Sequence, residues 1–199
     1  MVKENLKVIY NKQIALDTFE MKLESTNMAS LSKPGMFINI SLNDSSKLLK
    51  RPISICQIDN NNLIITYKIN GEGTKLLSCY ESGTTLEAIG PLGNGFTLVE
   101  NKKVLVVGGG IGVPPLLELS RNLKKLGNEL VIILAFRNKE SMIYLDEFKN
   151  FDVTKADWTL PITIKGTVYQ YSKEYNHKIW HMKYSLCNVE VIAWLNFIL

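Results

Sequence analysis

Between Lys103 and Phe136 the chain runs through an apolar segment, a glycine turn, a helix-like segment and a second apolar segment. Lys103–Val107 reads as a buried strand, Gly108-Gly109-Gly110-Ile111-Gly112 as a turn and Pro114–Leu126 as a helix. Pro114 and Pro115 suit a first helical turn, where a missing N–H has no intrahelical partner to lose, and Gly127 suits the position just past the helix end. Leu130–Phe136 then returns as a continuous apolar strand. A strand, a helix and a strand of these lengths make a βαβ unit, whose two strands must run parallel. This half of the chain is therefore expected to be an α/β lobe with a parallel sheet.

Upstream, the pattern is different. LKVIY, TFEMKLES, MFINISL, PISICQI and LIITYKI have period-2 or continuous apolar character. Turn-forming residues separate them at Pro34-Gly35, Asn43–Ser46, Asp59–Asn62 and Gly71–Gly73. About six short strands with little helix imply a small closed antiparallel barrel. The expected fold class is thus a β-barrel plus α/β, with units at 1–100 and 101–199 and a boundary near Glu100–Lys103.

With 199 residues, 46% hydrophobic and 21% charged, the chain carries enough apolar material for a core and is not a disordered tract. A net charge of +4 without a long Lys/Arg run argues against a nucleic-acid partner. Three dispersed cysteines, Cys56, Cys79 and Cys187, give neither a disulfide framework nor a closed metal site and fit a reducing, cytoplasmic compartment. No apolar run of membrane-spanning length occurs, so no membrane association is expected. The apolar stretch Val189–Leu199 reads as a core strand, an interface or a damaged end. His177 and His181 share a helical spacing but bring no third ligand, and no metal site is assigned.

A glycine turn between a buried strand and a helix lets backbone N–H groups approach a phosphate. GGGIG does not fit the G-x-G-x-x-G fingerprint, and the second strand ends in Phe136-Arg137-Asn138-Lys139 rather than in an acid for a ribose hydroxyl. The turn reads either as a dinucleotide cradle or as a tight turn without a ligand, and Arg137 and Lys139 as phosphate contacts or solvated charges. Arg51-Pro52-Ile53-Ser54 opens a barrel strand whose alternation puts Arg51 and Ile53 on one side and Ser54 on the other. Taken alone, it fits a surface cation, an edge proline and a satisfied hydroxyl equally well.

The order of the motifs narrows this. Pro34-Gly35-Met36-Phe37 is followed by Arg51-Pro52-Ile53-Ser54, Thr66-Tyr67-Lys68, Gly71-Glu72-Gly73-Thr74 before a short helix at Lys75–Tyr80, Gly90-Pro91-Leu92-Gly93, and finally GGGIGVPPLLEL. This series resembles the ferredoxin-reductase-like flavoproteins and, within them, the electron transfer subunits of the NAD-dependent (class B) dihydroorotate dehydrogenases. The resemblance runs from about residue 5 to about residue 150.

It implies an FAD-binding barrel followed by an NAD(H)-binding lobe. Arg51 would pair with an FAD phosphate, with Pro52 and Ile53 beside it, and Ser54 would lie near the flavin ring. Thr66, Tyr67 and Lys68 would line the ribityl and adenosine side. Gly73 and Thr74 would face the diphosphate, while Gly108, Gly109, Gly110, Ile111 and Gly112 would hold the nicotinamide nucleotide. No side chain is assigned as a catalytic acid, base or nucleophile. The implied function is electron transfer from a dihydroorotate-oxidising, FMN-containing partner subunit to NAD⁺ in pyrimidine biosynthesis, within a heterotetramer.

The family also carries a [2Fe–2S] cluster on four cysteines of a C-terminal segment, and those ligands are absent here. From about Asp152 the likeness is weak, although Lys165-Gly166-Thr167-Val168 matches again. The sequence therefore reads as a truncated or frame-shifted product in preference to a divergent member that has discarded the cluster. A stand-alone NAD(P)H-dependent flavin reductase and a non-catalytic nucleotide-binding module are the alternatives.

Overall fold

The computed structural model describes residues 1–149 and 151, and the backbone of 155–156 and 189–195. Six antiparallel strands form the first unit: β1 (Val2–Ala15), β2 (Thr18–Glu24), β3 (Phe37–Ile40), β4 (Arg51–Asp59), β5 (Asn62–Lys68) and β6 (Thr85–Leu92). They close in the order β1-β2-β5-β4-β3-β6, which leaves no open sheet edge. Alternation fills the interior with Leu6, Val8, Met21, Leu23, Ile38, Ile53, Ile55, Leu63 and Ile65. Two short helices lie between strands, α1 (Met28–Leu31) and α2 (Glu72–Ser78). The second begins three residues before the Lys75 start read from the sequence.

The second unit comprises β7 (Lys103–Gly109), a 3-10 turn at Gly110–Gly112, α3 (Pro114–Lys125), β8 (Glu129–Ala135), α4 (Leu145–Lys149), β9 (Lys155–Ala156) and β10 (Val189–Leu195). Gly108 and Gly109 thus extend the strand, so the turn itself is shorter than the five-residue turn read from the sequence. Pro114 and Pro115 occupy the first helical positions and Gly127 follows the helix in a left-handed conformation (φ +75°), as expected. The parallel sheet has the order β10-β7-β8-β9. From β7 the chain proceeds outward on one side to β8 and β9, then returns on the other side as β10. The strand order reverses at β7, whose carboxyl end is the glycine turn.

The apolar segment that begins at Val189 forms a strand of the parallel sheet from Val189 to Leu195, with unbroken pairing from Val189 opposite Lys103 to Leu195 opposite Gly109. His177, His181, Cys187 and Lys165–Val168 lie outside the described residues.

The two units share a hydrophobic core. Cys56 and Ile64, on the outer face of the barrel, pack with Val104, Val106, Leu116, Leu119, Leu123 and Ile132. Polar bonds fix the same contact: Arg121 donates to the Gln57 side-chain oxygen at 2.6 Å, and the Glu118 carboxylate accepts from the Ile58 N–H at 3.3 Å.

Candidate functional site

A cavity of about 480 Å³ opens at one end of the barrel. Its walls include Arg51, Pro52, Ile53 and Ser54 from the start of β4, Thr66, Tyr67 and Lys68 from the end of β5, and Gly73 and Thr74 from α2. Ile111 from the glycine turn reaches the same cavity. Nine barrel residues singled out in the sequence are therefore neighbours in space. Of the glycine-turn residues only Ile111 joins them; Gly108, Gly109, Gly110 and Gly112 do not line this cavity. Lys47, Asn70, Gly71 and Glu72 complete the wall; Gly71 and Glu72 belong to the Gly71–Thr74 motif but were given no role, and Lys47 and Asn70 lie in loops outside any motif.

The strands explain the convergence. β4 and β5 are antiparallel neighbours in the barrel, with Ile55 opposite Ile65 and Asp59 opposite Asn62, so the start of one lies beside the end of the other. Alternation sends Ile53 and Ile55 into the barrel core and Cys56 toward the second unit. Arg51 lies over Gly73, where a Cβ would overlap the guanidinium, so the absent side chain is what admits Arg51 to the wall.

Charge is unevenly distributed over this wall. Lys47, Arg51 and Lys68 are cationic, and Glu72 is the one carboxylate among the lining residues. Glu72 is ion-paired to Lys47. Arg51 donates to the Leu49 carbonyl and has no carboxylate partner among the described residues. A low-screening concavity with surplus positive charge favours an anion.

Several hydroxyls of the wall are committed to structure. Tyr67 donates to the Asn11 side-chain oxygen at 2.8 Å and stacks on Phe19 with ring centroids 5.9 Å apart. Burial drives its phenol well above the usual tyrosine range, so it forms a neutral wall. Thr74 accepts from the Asn70 N–H at 2.8 Å and donates to the Gly71 carbonyl at 3.2 Å, closing its own turn.

Thr66 leads into the second unit. Its hydroxyl lies 2.6 Å from that of Tyr144, which itself donates to the Glu20 carboxylate at 2.6 Å, so Thr66 must be the donor to Tyr144. Tyr10 and Lys12 reach the other Glu20 oxygen at 2.8 and 3.0 Å. Burial raises the Glu20 carboxyl, but these bonds more than offset it and hold it below its ordinary value. Tyr144 is buried with a left-handed backbone (φ +60°), a conformation that disfavours a bulky residue and that its two bonds help to hold.

At the glycine turn Gly110 has φ +53° and nothing near the position of a Cβ, so the chain turns there with open space above it. The turn sits where the sheet order reverses, outside the carboxyl ends of β7 and β10, the crevice in which open α/β sheets bind ligands. Arg137 and Lys139 are both exposed.

No protein-family model matches the chain. The dihydroorotate dehydrogenase B (NAD(+)) electron transfer subunit of Fusobacterium nucleatum is 41% identical over 171 residues, covering 83% of this chain and 64% of that protein. Its counterpart from Bacillus cereus is 40% identical over 173 residues, covering 84% and 65%. The chain is similar to those subunits over more than four fifths of its length. It spans a little under two thirds of the length of these relatives.

Among solved structures, an NADH-dependent reduced ferredoxin-NADP oxidoreductase studied for flavin-based electron bifurcation superposes with a TM-score of 0.73 at 25% identity, covering 98% of this chain and 77% of that one. A ferredoxin-NADP⁺ reductase from Plasmodium falciparum gives 0.70 at 14% identity, covering 96% and 85%. The fold is ferredoxin-reductase-like, as the motif order implied.

Among the described residues no helix is long and apolar enough to cross a membrane.

Proposed function

We propose that residues 1–100 bind FAD, that residues 101–199 bind NAD(H), and that the chain passes electrons between a partner dehydrogenase subunit and NAD⁺. The observation that carries this reading is the single cavity gathering Arg51–Ser54, Thr66–Lys68, Gly73 and Thr74 under surplus positive charge. Its electrostatics and the missing Cβ at Gly73 fit the diphosphate of a dinucleotide. The family relatives are named as electron transfer subunits of a dihydroorotate dehydrogenase, which supports an oxidoreductase role and a catalytic partner subunit.

When bound, FAD supplies hydride and single-electron chemistry. The residues of this chain bind and orient. Arg51 offers a planar guanidinium fork to phosphate oxygens, and Lys68 adds a second cation. Ser54 would offer a hydroxyl to the flavin's nitrogen edge, and the fixed Tyr67 ring would form a side wall. Gly108, Gly109, Gly110, Ile111 and Gly112 would hold the nicotinamide nucleotide at the sheet reversal, and Ile111 also lines the barrel cavity. In this arrangement no side chain transfers a proton.

A [2Fe–2S] cluster does not fit the residues present. Four thiolates are needed, the chain has three cysteines, and burial pushes the Cys56 thiol up to about 12. No step is therefore routed through a cluster on this chain. The likeness to an NADH-dependent reduced ferredoxin-NADP oxidoreductase supports a second reading, a reductase that passes electrons from NAD(P)H to a diffusible acceptor.

An absorption spectrum after incubation with FAD and gel filtration, recorded before and after NADH, tests the proposal. Retained flavin absorbance that NADH bleaches is expected. A colourless protein that cannot be loaded with FAD would refute it. Fast turnover with a soluble acceptor in the absence of any partner would select the reductase reading.

A further inference from the structure

The cavity wall contains an ion pair that the FAD reading leaves unused. Lys47 comes from the loop between β3 and β4, Glu72 opens α2, and both line the cavity. Arg51 packs on Gly73, the residue after Glu72. Consecutive Cα atoms lie about 3.8 Å apart, so Lys47 and Arg51 are anchored on adjacent residues, within reach of one diphosphate. Lys47 differs from Arg51 in having an intramolecular carboxylate as its partner.

We propose that Lys47 is a further phosphate-binding cation of this cavity and that Glu72 competes with the ligand's diphosphate for it. The inference rests on the FAD reading. Binding of the nucleotide exchanges the Lys47–Glu72 pair for a Lys47–phosphate pair, and Glu72 rotates into solvent. That rotation is easy, because the Glu72 side chain is already 83% exposed, whereas that of Lys47 is 28% exposed and held at the wall. Glu72 therefore acts as a built-in weakener that sets affinity for the diphosphate rather than for the flavin ring. The Lys47 hydrogen bond and charge also hold the Glu72 carboxyl below its usual value.

The test is titration of the full chain with FAD, ADP and riboflavin at low and high salt. Arg51→Ala serves as the reference variant, expected to weaken FAD by roughly tenfold or more. Glu72→Gln should tighten FAD and ADP by about two- to fivefold, the size of a partly exposed charge interaction, and leave riboflavin unchanged. Lys47→Met should weaken FAD and ADP by a similar factor, and adding Glu72→Gln to it should restore little, which a double-mutant cycle measures directly. Both effects should shrink at high salt.

If Arg51→Ala weakens FAD while Glu72→Gln changes nothing, the competition is refuted and the FAD reading stands. Equal tightening of riboflavin would refute the assignment to the diphosphate. If the parent chain binds no FAD, or Arg51→Ala is silent, the FAD reading falls and this inference falls with it.

Discussion

Replacing Tyr144 with phenylalanine isolates the polar tie between the two units. The ring stays, so packing is retained, and only the hydroxyl oxygen is lost. That oxygen donates to Glu20 at 2.6 Å and accepts from Thr66 at the same distance, between groups that are almost fully buried. Loss of a hydrogen bond to a buried carboxylate costs about 1.5–3 kcal/mol, and the stranded Thr66 hydroxyl adds roughly 1 kcal/mol. The sum is about 2.5–4 kcal/mol, which at this chain length corresponds to a fall in melting temperature of roughly 5–15 °C. Scanning calorimetry and urea unfolding at pH 7 measure it.

The effect should also depend on pH. Glu20 has a folded pKa below its ordinary value of 4.5, so the stability it contributes is fully present above that value and is lost as pH falls through the lower folded value. Tyr144→Phe removes one of the bonds that favour the carboxylate, so the deficit should be largest at neutral pH and shrink in acid. A loss under about 0.5 kcal/mol at pH 7, the range of an ordinary surface substitution, would refute the reasoning. A loss independent of pH would show that the Glu20 charge is not the partner.

Two further outcomes follow from the packing. Gly108→Ala would set a methyl group against Leu116 and 3.2 Å from the Val113 side chain, forcing α3 off β7. It should cost about 1–3 kcal/mol in urea unfolding, and an unaffected midpoint would contradict that close approach. Cys56 is fully buried with a thiol raised to about 12, whereas Cys79 is exposed. Alkylation at pH 8 followed by peptide mapping should label Cys79 in the native protein and Cys56 only in denaturant.

Much of the architecture could be read from local pattern. Five barrel strands showed themselves through alternation, and the βαβ unit through two apolar runs, paired prolines and Gly127. Strand β6 was harder, because Gly90-Pro91-Leu92 entered only as one motif in the series and its alternation was not read, yet Thr85–Leu92 pairs with both β1 and β3. β1 continues to Ala15 through polar residues whose partners lie on β2. The cavity's nine barrel residues were found because motif order identifies them without geometry. Lys47 was missed since it belongs to no motif, and Glu72, though inside the Gly71–Thr74 motif, was given no role because its pairing with Lys47 is a loop contact. The Glu20–Tyr144–Thr66 chain was hidden for a different reason: its members lie far apart in sequence, and no one-dimensional spacing connects them.

The place of β10 in the sheet bears on how the protein is assembled. Every strand of the barrel lies within residues 2–92, so the barrel can close, β1 against β6, before the rest of the chain is synthesised. The central strand β7 gains its second neighbour only when residues 189–195 emerge. Until then one side of β7 carries unpaired backbone groups, and the second unit is a half-built sheet resting on a finished barrel. Under the proposed function, the barrel would be ready to take up its cofactor before the second sheet is complete.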